Sequence, residues 1–132
     1  MLVNADITLY NACFDSATRL DVWKRTVIRG VWFYVDNRVN ATADGLTSAD
    51  AYKVRIPIDA DTGGAVYVPP ETYSGEQGTW TLKADDYIVR GVLEREIERP
   101  AELMKEKRQA FKITSWSDNR FGGLPHWRVG GV

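Results

Sequence analysis

Apolar and polar residues alternate most cleanly in Tyr52-Lys53-Val54-Arg55-Ile56-Pro57-Ile58-Asp59. A two-residue period sets Tyr52, Val54, Ile56 and Ile58 inward and Lys53, Arg55, Pro57 and Asp59 outward, which predicts a strand. Pro57 has no N–H to give to a ladder, so the strand is expected to lie at a sheet edge there. Ile7-Thr8-Leu9-Tyr10 alternates in the same way and predicts a first strand, with a loop over residues 11–19. Residues 21–35 form a long run rich in Val, Ile, Thr, Trp, Phe and Tyr, the side chains that suit a pleated sheet. In that run Trp23, Val27, Val31 and Phe33 share one parity with Arg25 and Arg29, and Ile28, Trp32 and Tyr34 take the other. Apolar residues on both parities near its end predict burial on both sides or a bulge at Gly30.

Turn residues divide the remainder. Residues 36–50 are polar and predict a loop, and Asp61-Thr62-Gly63-Gly64 predicts a turn before a short strand at 65–68, which Pro69-Pro70 ends. Residues 71–78 predict a second long loop. Thr79-Trp80-Thr81-Leu82 and Tyr87-Ile88-Val89-Arg90-Gly91-Val92 predict two further strands around a turn at residues 84–86. Pro100 followed by good helix formers predicts one helix near residues 100–109, with Glu102 in its first turn and Lys107 and Arg108 in its last. Leu103, Met104, Ala110 and Phe111 are expected to share its docking face. In the tail, Ile113 to Trp116 and Trp127 to Val129 flank a reversal built on Asp118-Asn119 and Gly122-Gly123. Strands spaced by about ten residues, with turn punctuation, point to a mainly β fold, a small antiparallel barrel or sandwich. At 132 residues the chain is expected to form a single β-rich domain over 1–132.

The side-chain inventory removes more functions than it suggests. Seventeen basic against eighteen acidic residues give a net charge of −1, so no global positive field draws in nucleic acid. Cys13 is the single cysteine and His126 the single histidine, which leaves no disulfide and no Cys/His metal cluster. A reducing compartment is expected. Met1 to Ile7 lacks a basic stretch followed by an apolar core, so no signal peptide is expected, and no apolar run is long enough to span a membrane. Gly63-Gly64 lacks the spacing of a phosphate loop, and there is no nucleophile elbow. Asp85 and Asp86 read as turn residues, and the charge run at residues 94–99 as a solvated segment. No catalytic, metal-binding or cofactor-binding residue is assigned, and the chain is not expected to be an enzyme. Five tryptophans, Trp23, Trp32, Trp80, Trp116 and Trp127, read first as core. Trp23 beside Arg25 and Trp127 beside Arg128 are the interface candidates, because Trp and Arg concentrate at binding hot spots.

Ile7-Thr8-Leu9-Tyr10-Asn11, Arg25-Thr26-Val27-Ile28-Arg29-Gly30-Val31-Trp32 and Tyr52-Lys53-Val54-Arg55-Ile56-Pro57 carry a family resemblance over nearly the whole chain. Trp80-Thr81-Leu82, Tyr87-Ile88-Val89-Arg90-Gly91, Ser117-Asp118-Asn119-Arg120 and Gly122-Gly123-Leu124-Pro125-His126-Trp127 continue it in order. The chain resembles small proteins encoded in the structural gene clusters of tailed phages and prophages of Gram-positive gut bacteria. The resemblance implies a head–tail connector component of the stopper, or head-closure, type: a small β-barrel with a helix and long loops. It implies a homo-oligomeric ring held by protein–protein contacts, with phage neck proteins on the portal or adaptor side and on the tail side. It also implies assembly in the host bacterial cytoplasm, residence in the virion, and contact with DNA only as it passes through the lumen. No membrane and no cofactor are expected. The alternative is a nucleic-acid-binding small β-barrel using Trp23, Arg25, Trp127 and Arg128 as a stacking and phosphate surface.

Overall fold

The computed structural model describes residues 2–35, 39–42, 45–48 and 52–132, with side chains described outside residues 36–51. The fold is mainly β. Six antiparallel strands close into a barrel in the order β1 (Ala5–Asp15), β2 (Leu20–Val35), β5 (Tyr52–Pro57), β10 (His126–Gly131), β9 (Ala110–Asn119) and β8 (Tyr87–Arg90). Closure leaves few open ladder groups, which is how small all-β domains manage their edges. Two smaller pairs accompany the barrel: a hairpin of β3 (Val39–Thr42) and β4 (Gly45–Ser48), and a short parallel pair of β6 (Val66–Tyr67) with β7 (Thr79–Trp80).

The barrel interior follows from the alternation. Ile7 and Leu9 of β1, Ile28, Val31 and Phe33 of β2, and Val54 and Ile56 of β5 meet Ile88, Ile113, Trp127 and Val129 from the other three strands. The segment between β5 and β8 crosses one end of the barrel and lowers Trp80 and Leu82 into it, both buried. Trp80, Trp127 and Tyr67 pack edge-on and tilted there, with centroids 4.9–5.1 Å apart, a favourable range for aromatic pairs.

Gly30 is a bulge, and it corrects the face assignment of β2. Ala5 lies opposite Val31 while Asp6 lies opposite Arg29, so Gly30, at φ +82°, is the extra residue. The inward parity therefore switches: Thr26 and Ile28 face inward before it, Val31 and Phe33 after it. One continuous strand thus buries apolar side chains of both parities without being buried on both sides. β1 also runs further than its alternating core predicts. Residues 11–15, expected as loop, continue the ladder with β2, and the turn falls at residues 16–19 with Arg19 at φ 58°.

β5 is paired with both β2 and β10 over Tyr52 to Arg55, but at Pro57 it is paired with β10 alone, so the strand has an open side there as expected. Pro57 is accommodated because β2 pairs only as far as Arg55. Pro57 is buried and Ile58 is 53% exposed, the reverse of the expected faces, because the pleat ends at Pro57 and the chain turns. Within residues 36–50, expected as a loop, β3 and β4 form a hairpin, and residues 36–38, 43–44 and 49–51 lie outside the described residues. Residues 71–78 carry turns and no strand, as expected. Asp118 and Asn119, expected in the tail reversal, still belong to β9, where Asn119 faces His126, and the reversal occupies residues 120–125.

The expected helix is a 3-10 helix, Pro100–Glu106, with Pro100 at its start and Lys107 left-handed at its end. Glu102 caps it by accepting the backbone N–H groups of Glu98 and Arg99 at 2.7 and 2.8 Å, the role a first-turn carboxylate suits. Only Leu103 buries its side chain. Met104 is 84% exposed, and Ala110 and Phe111 belong to β9, so the expected docking face is replaced by one anchor.

Candidate functional site

The charge run at residues 94–99 is a strap across the outside of the barrel, not a freely solvated segment. Leu93 and Ile97 are buried with Tyr10, Val89 and Leu103 in a second apolar cluster on the outer face of β1 and β8. Polar groups latch it. The Tyr10 hydroxyl donates to the Arg95 carbonyl at 2.6 Å, and burial pushes that phenol up to about 12. Arg95 reaches Glu106 and Glu102 of the 3-10 helix at 3.0 and 3.4 Å, and these bonds hold its own pKa above the ordinary value. Glu102 is drawn below the ordinary carboxylate value by the two backbone N–H groups it accepts, with Arg95 adding to the effect.

Two of the four sequence candidates, both on β2, contact this strap and its cluster. Arg25 donates to Glu96 at 3.1 Å and to the Leu93 carbonyl at 3.1 Å, and Trp23 packs edge-on against Tyr87. Trp127 is 6% exposed and sits in the barrel core, whereas Arg128, next to it on β10, is exposed on the outer face. The structure therefore brings Trp23 and Arg25 together, buries Trp127, and leaves Arg128 apart from all three. Of the other tryptophans, Trp80 is core, Trp32 is half-buried on the outer face, and Trp116 is 38% exposed.

Asp86 is the one buried carboxylate among the described residues, and turn chemistry does not explain it. It accepts hydrogen bonds from Asn11 Nδ2 at 2.8 Å, the Ala12 N–H at 3.1 Å and Lys83 Nζ at 2.6 Å. Asn11 in turn bonds both the carbonyl and the N–H of Thr81. This network ties the end of β1 to the segment that plugs the barrel. Burial pushes the Asp86 carboxyl above its ordinary value, and the bonds from Lys83, Asn11 and Ala12 pull part of the way back. An acid whose folded pKa is raised holds its proton longer when folded, so its contribution to stability falls as pH rises from the unfolded carboxylate value through the raised one. Asp86→Asn places an amide NH2 against a donor, and is expected to cost about 1–3 kcal/mol. The wild-type advantage over this variant should shrink with rising pH across that window in paired thermal melts. An advantage that grows with pH would contradict the assignment.

Two surface features remain. The first is an open edge. β2 pairs with β1 from Leu20 to Val31 and with β5 only over residues 32–35. Arg29 exchanges both backbone hydrogen bonds with Asp61, at 2.8 and 3.0 Å. Ladder alternation then turns the N–H and C=O groups of Val27, Arg25 and Trp23 the same way, away from β1. No strand among the described residues takes them up, and they line a groove whose far wall includes Ala65 and residues 76–79.

The second is the outer face of β2, β5 and β10. The register places Trp32, Arg55 and Arg128 side by side, with Tyr34 beside Lys53 in the next row. The Arg55 guanidinium lies 5.3 Å from the Trp32 ring centroid, and Trp32 stacks on Tyr34 at 5.3 Å and 12°. Sequence reasoning reached Arg128 alone, because Trp32, Arg55 and Lys53 are joined by pairing between distant strands. The outward positions of β5 were legible in the alternation, but their neighbours were not.

A closed six-stranded barrel with an external strap, an open β2 edge and a basic, aromatic outer face defines the class of this protein. Within that class, the chain belongs to a family of unknown function (DUF6751), matched over residues 2–132. Neither a curated protein nor a solved structure matches it. No helix among the described residues is long and apolar enough to cross a membrane.

Proposed function

We propose that this protein is a virion structural protein, a head–tail connector component of the stopper type that assembles head-to-tail into a ring. The observation that carries the reading is the open β2 edge. An unpaired strand edge is a template for another chain, and here it is walled into a groove. The β3–β4 hairpin lies between Val35 and Tyr52, which are paired at the end of the barrel away from the β1–β2 turn, whereas the open edge runs toward that turn. An isolated two-stranded hairpin is marginal in water, and Val39–Thr42 and Gly45–Ser48 contain no charged residue to blunt their edges. A donor at one end and an acceptor toward the other make a heterologous interface, which closes into a ring when the rotation per copy permits. The shape agrees with the phage connector resemblance: a small barrel, one short helix and long connections.

Mass photometry over a concentration series tests the assembly. A single closed oligomer is expected for the intact chain, and monomer for a variant with residues 39–48 replaced by a Gly/Ser segment of equal length. The connector role is tested separately by antibody labelling of particles induced from the host: label at the neck supports it, and intact particles free of the protein exclude it.

A further inference from the structure

We propose that the outer face of β2, β5 and β10 is a binding site for the phosphodiester backbone of nucleic acid, centred on Arg55 and Arg128 and extended by Lys53. The register sets Arg55 and Arg128 directly opposite each other on adjacent strands. Like charges in that position repel and cost stability, so sheets ordinarily set a carboxylate or a neutral residue across from a cation. No carboxylate is present here. Tyr52–Pro57 and His126–Gly131 contain no Asp or Glu, the β2 residues paired with them are Trp32, Phe33, Tyr34 and Val35, and Ser117 faces Arg128 on the other side. Arg55, Arg128 and Lys53 form no salt bridge among the described residues, although the same chain pairs Arg25, Arg29, Arg95, Lys83, Lys112 and Arg120 with carboxylates. In a chain of net charge −1 this face carries no carboxylate among the described residues, and its counter-charge is an anion from outside.

The anion's form follows from the surroundings. Arg55 and Arg128 are exposed on the outside of the barrel, so the face suits a repeating charge that tracks across strands better than a small enclosed ion. Arg matches phosphate oxygens through its planar fork of donors. Trp32 contacts both the Arg55 guanidinium and the Tyr34 ring, which restrains the guanidinium, and Tyr34, 42% exposed, is left to meet a sugar or base. His126 lies two residues from Arg128 on the same strand. Nothing reads base edges, so binding is independent of sequence. The site works in a single copy, whether or not copies assemble, and it differs from the Trp23–Trp127 surface expected from the sequence. Only Arg128 is common to both.

Fluorescence anisotropy with labelled 30-mer single-stranded DNA, the matching duplex, and polyglutamate as a competitor tests the site. Binding of at least one DNA form is expected at low salt, with log K falling against log salt at a slope of roughly −2 to −3 for about three phosphates neutralised. The form bound more tightly identifies the source of the phosphodiester. Arg128→Glu is expected to weaken binding by about ten-fold or more while raising the melting temperature, because it converts a repelling cross-strand pair into an attracting one. Arg128→Lys should keep most of the binding. A residue kept for stability alone would give the opposite pattern, with the melting temperature lowered by Arg128→Glu. Three results overturn the proposal: no binding of either DNA at low salt, binding unchanged in an Arg55→Glu/Arg128→Glu protein that melts normally, or displacement by polyglutamate as effective as by unlabelled DNA.

Discussion

Deletion of residues 125–132 is expected to abolish folding, leaving an insoluble or molten chain. β10 is the strand between β5 and β9, so its loss opens the barrel and creates two new edges at once. The deletion also removes Trp127 and Val129 from the core, where Trp127 packs on Trp80 and Tyr67. The backbone bonds in both directions between Val132 and Lys112, at 3.0 and 3.1 Å, go with them. Burying a large aromatic and a valine contributes several kcal/mol, and a whole domain of this kind is stable by only about 5–15 kcal/mol. Near-ultraviolet circular dichroism and dye binding check the outcome. A truncated chain that stays soluble with an unchanged melting transition would show that β10 is dispensable, against the barrel described here.

The same strand shows how far the sequence could be read. Trp127 and Val129 alternate with Arg128, and the turn residues before them made a closing strand legible. The alternation at Tyr52–Pro57 and the length of the β2 run were legible for the same reason: a two-residue period is local. Strand ends were not. β1 continues through Asn11 because Asn11 is satisfied by Thr81 and Asp86, seventy and seventy-five positions away in sequence. A polar residue there looks like a loop residue until its partners are known. The 3-10 helix was found by its Pro100 start and acidic first turn, but its docking face was misjudged. Leu103 is its one buried residue, and the chain leaves the helix at Lys107 to enter β9.

The candidate sites separate along the same line. The bulge at Gly30 could be read from a lone glycine inside an apolar run, yet its consequence, an exchange of inward parity midway along β2, depends on the pairing of Ala5 with Val31. The charge run at residues 94–99 looked solvated because Glu and Arg alternate there, and its role as a strap rests on Leu93 and Ile97, which the charges obscure. The unneutralised pair of Arg55 and Arg128 is invisible without the β5–β10 register. Each miss is a contact between segments remote in sequence, where tertiary contacts override local pattern.

Gly131 is the position where the smallest substitution is expected to have the largest effect. It lies where the register between β9 and β10 slips, pairing with Ile113 after Gly130 has paired with Ser115. A β-carbon built there runs into the Lys112 carbonyl oxygen and the Phe111 ring, with the Lys112 carbonyl carbon at 2.9 Å. Two of these obstacles are backbone of the adjacent strand, which moves only if the ladder moves, and the third is a buried ring packed on Phe33 and Tyr52. Overpacking of this kind costs about 1–3 kcal/mol where side chains can yield, and more where backbone must shift. Gly131→Ala is therefore expected to cost at least about 3 kcal/mol, and Gly131→Val to prevent folding. Gly123→Ala, where a β-carbon meets nothing within 4 Å, serves as the control and should melt like the wild type. Denaturant titration of the three proteins separates the outcomes. A Gly131→Ala midpoint equal to that of the Gly123→Ala control would mean that β9 and β10 can part locally at the bulge, and that closure of the barrel does not depend on close approach at this point.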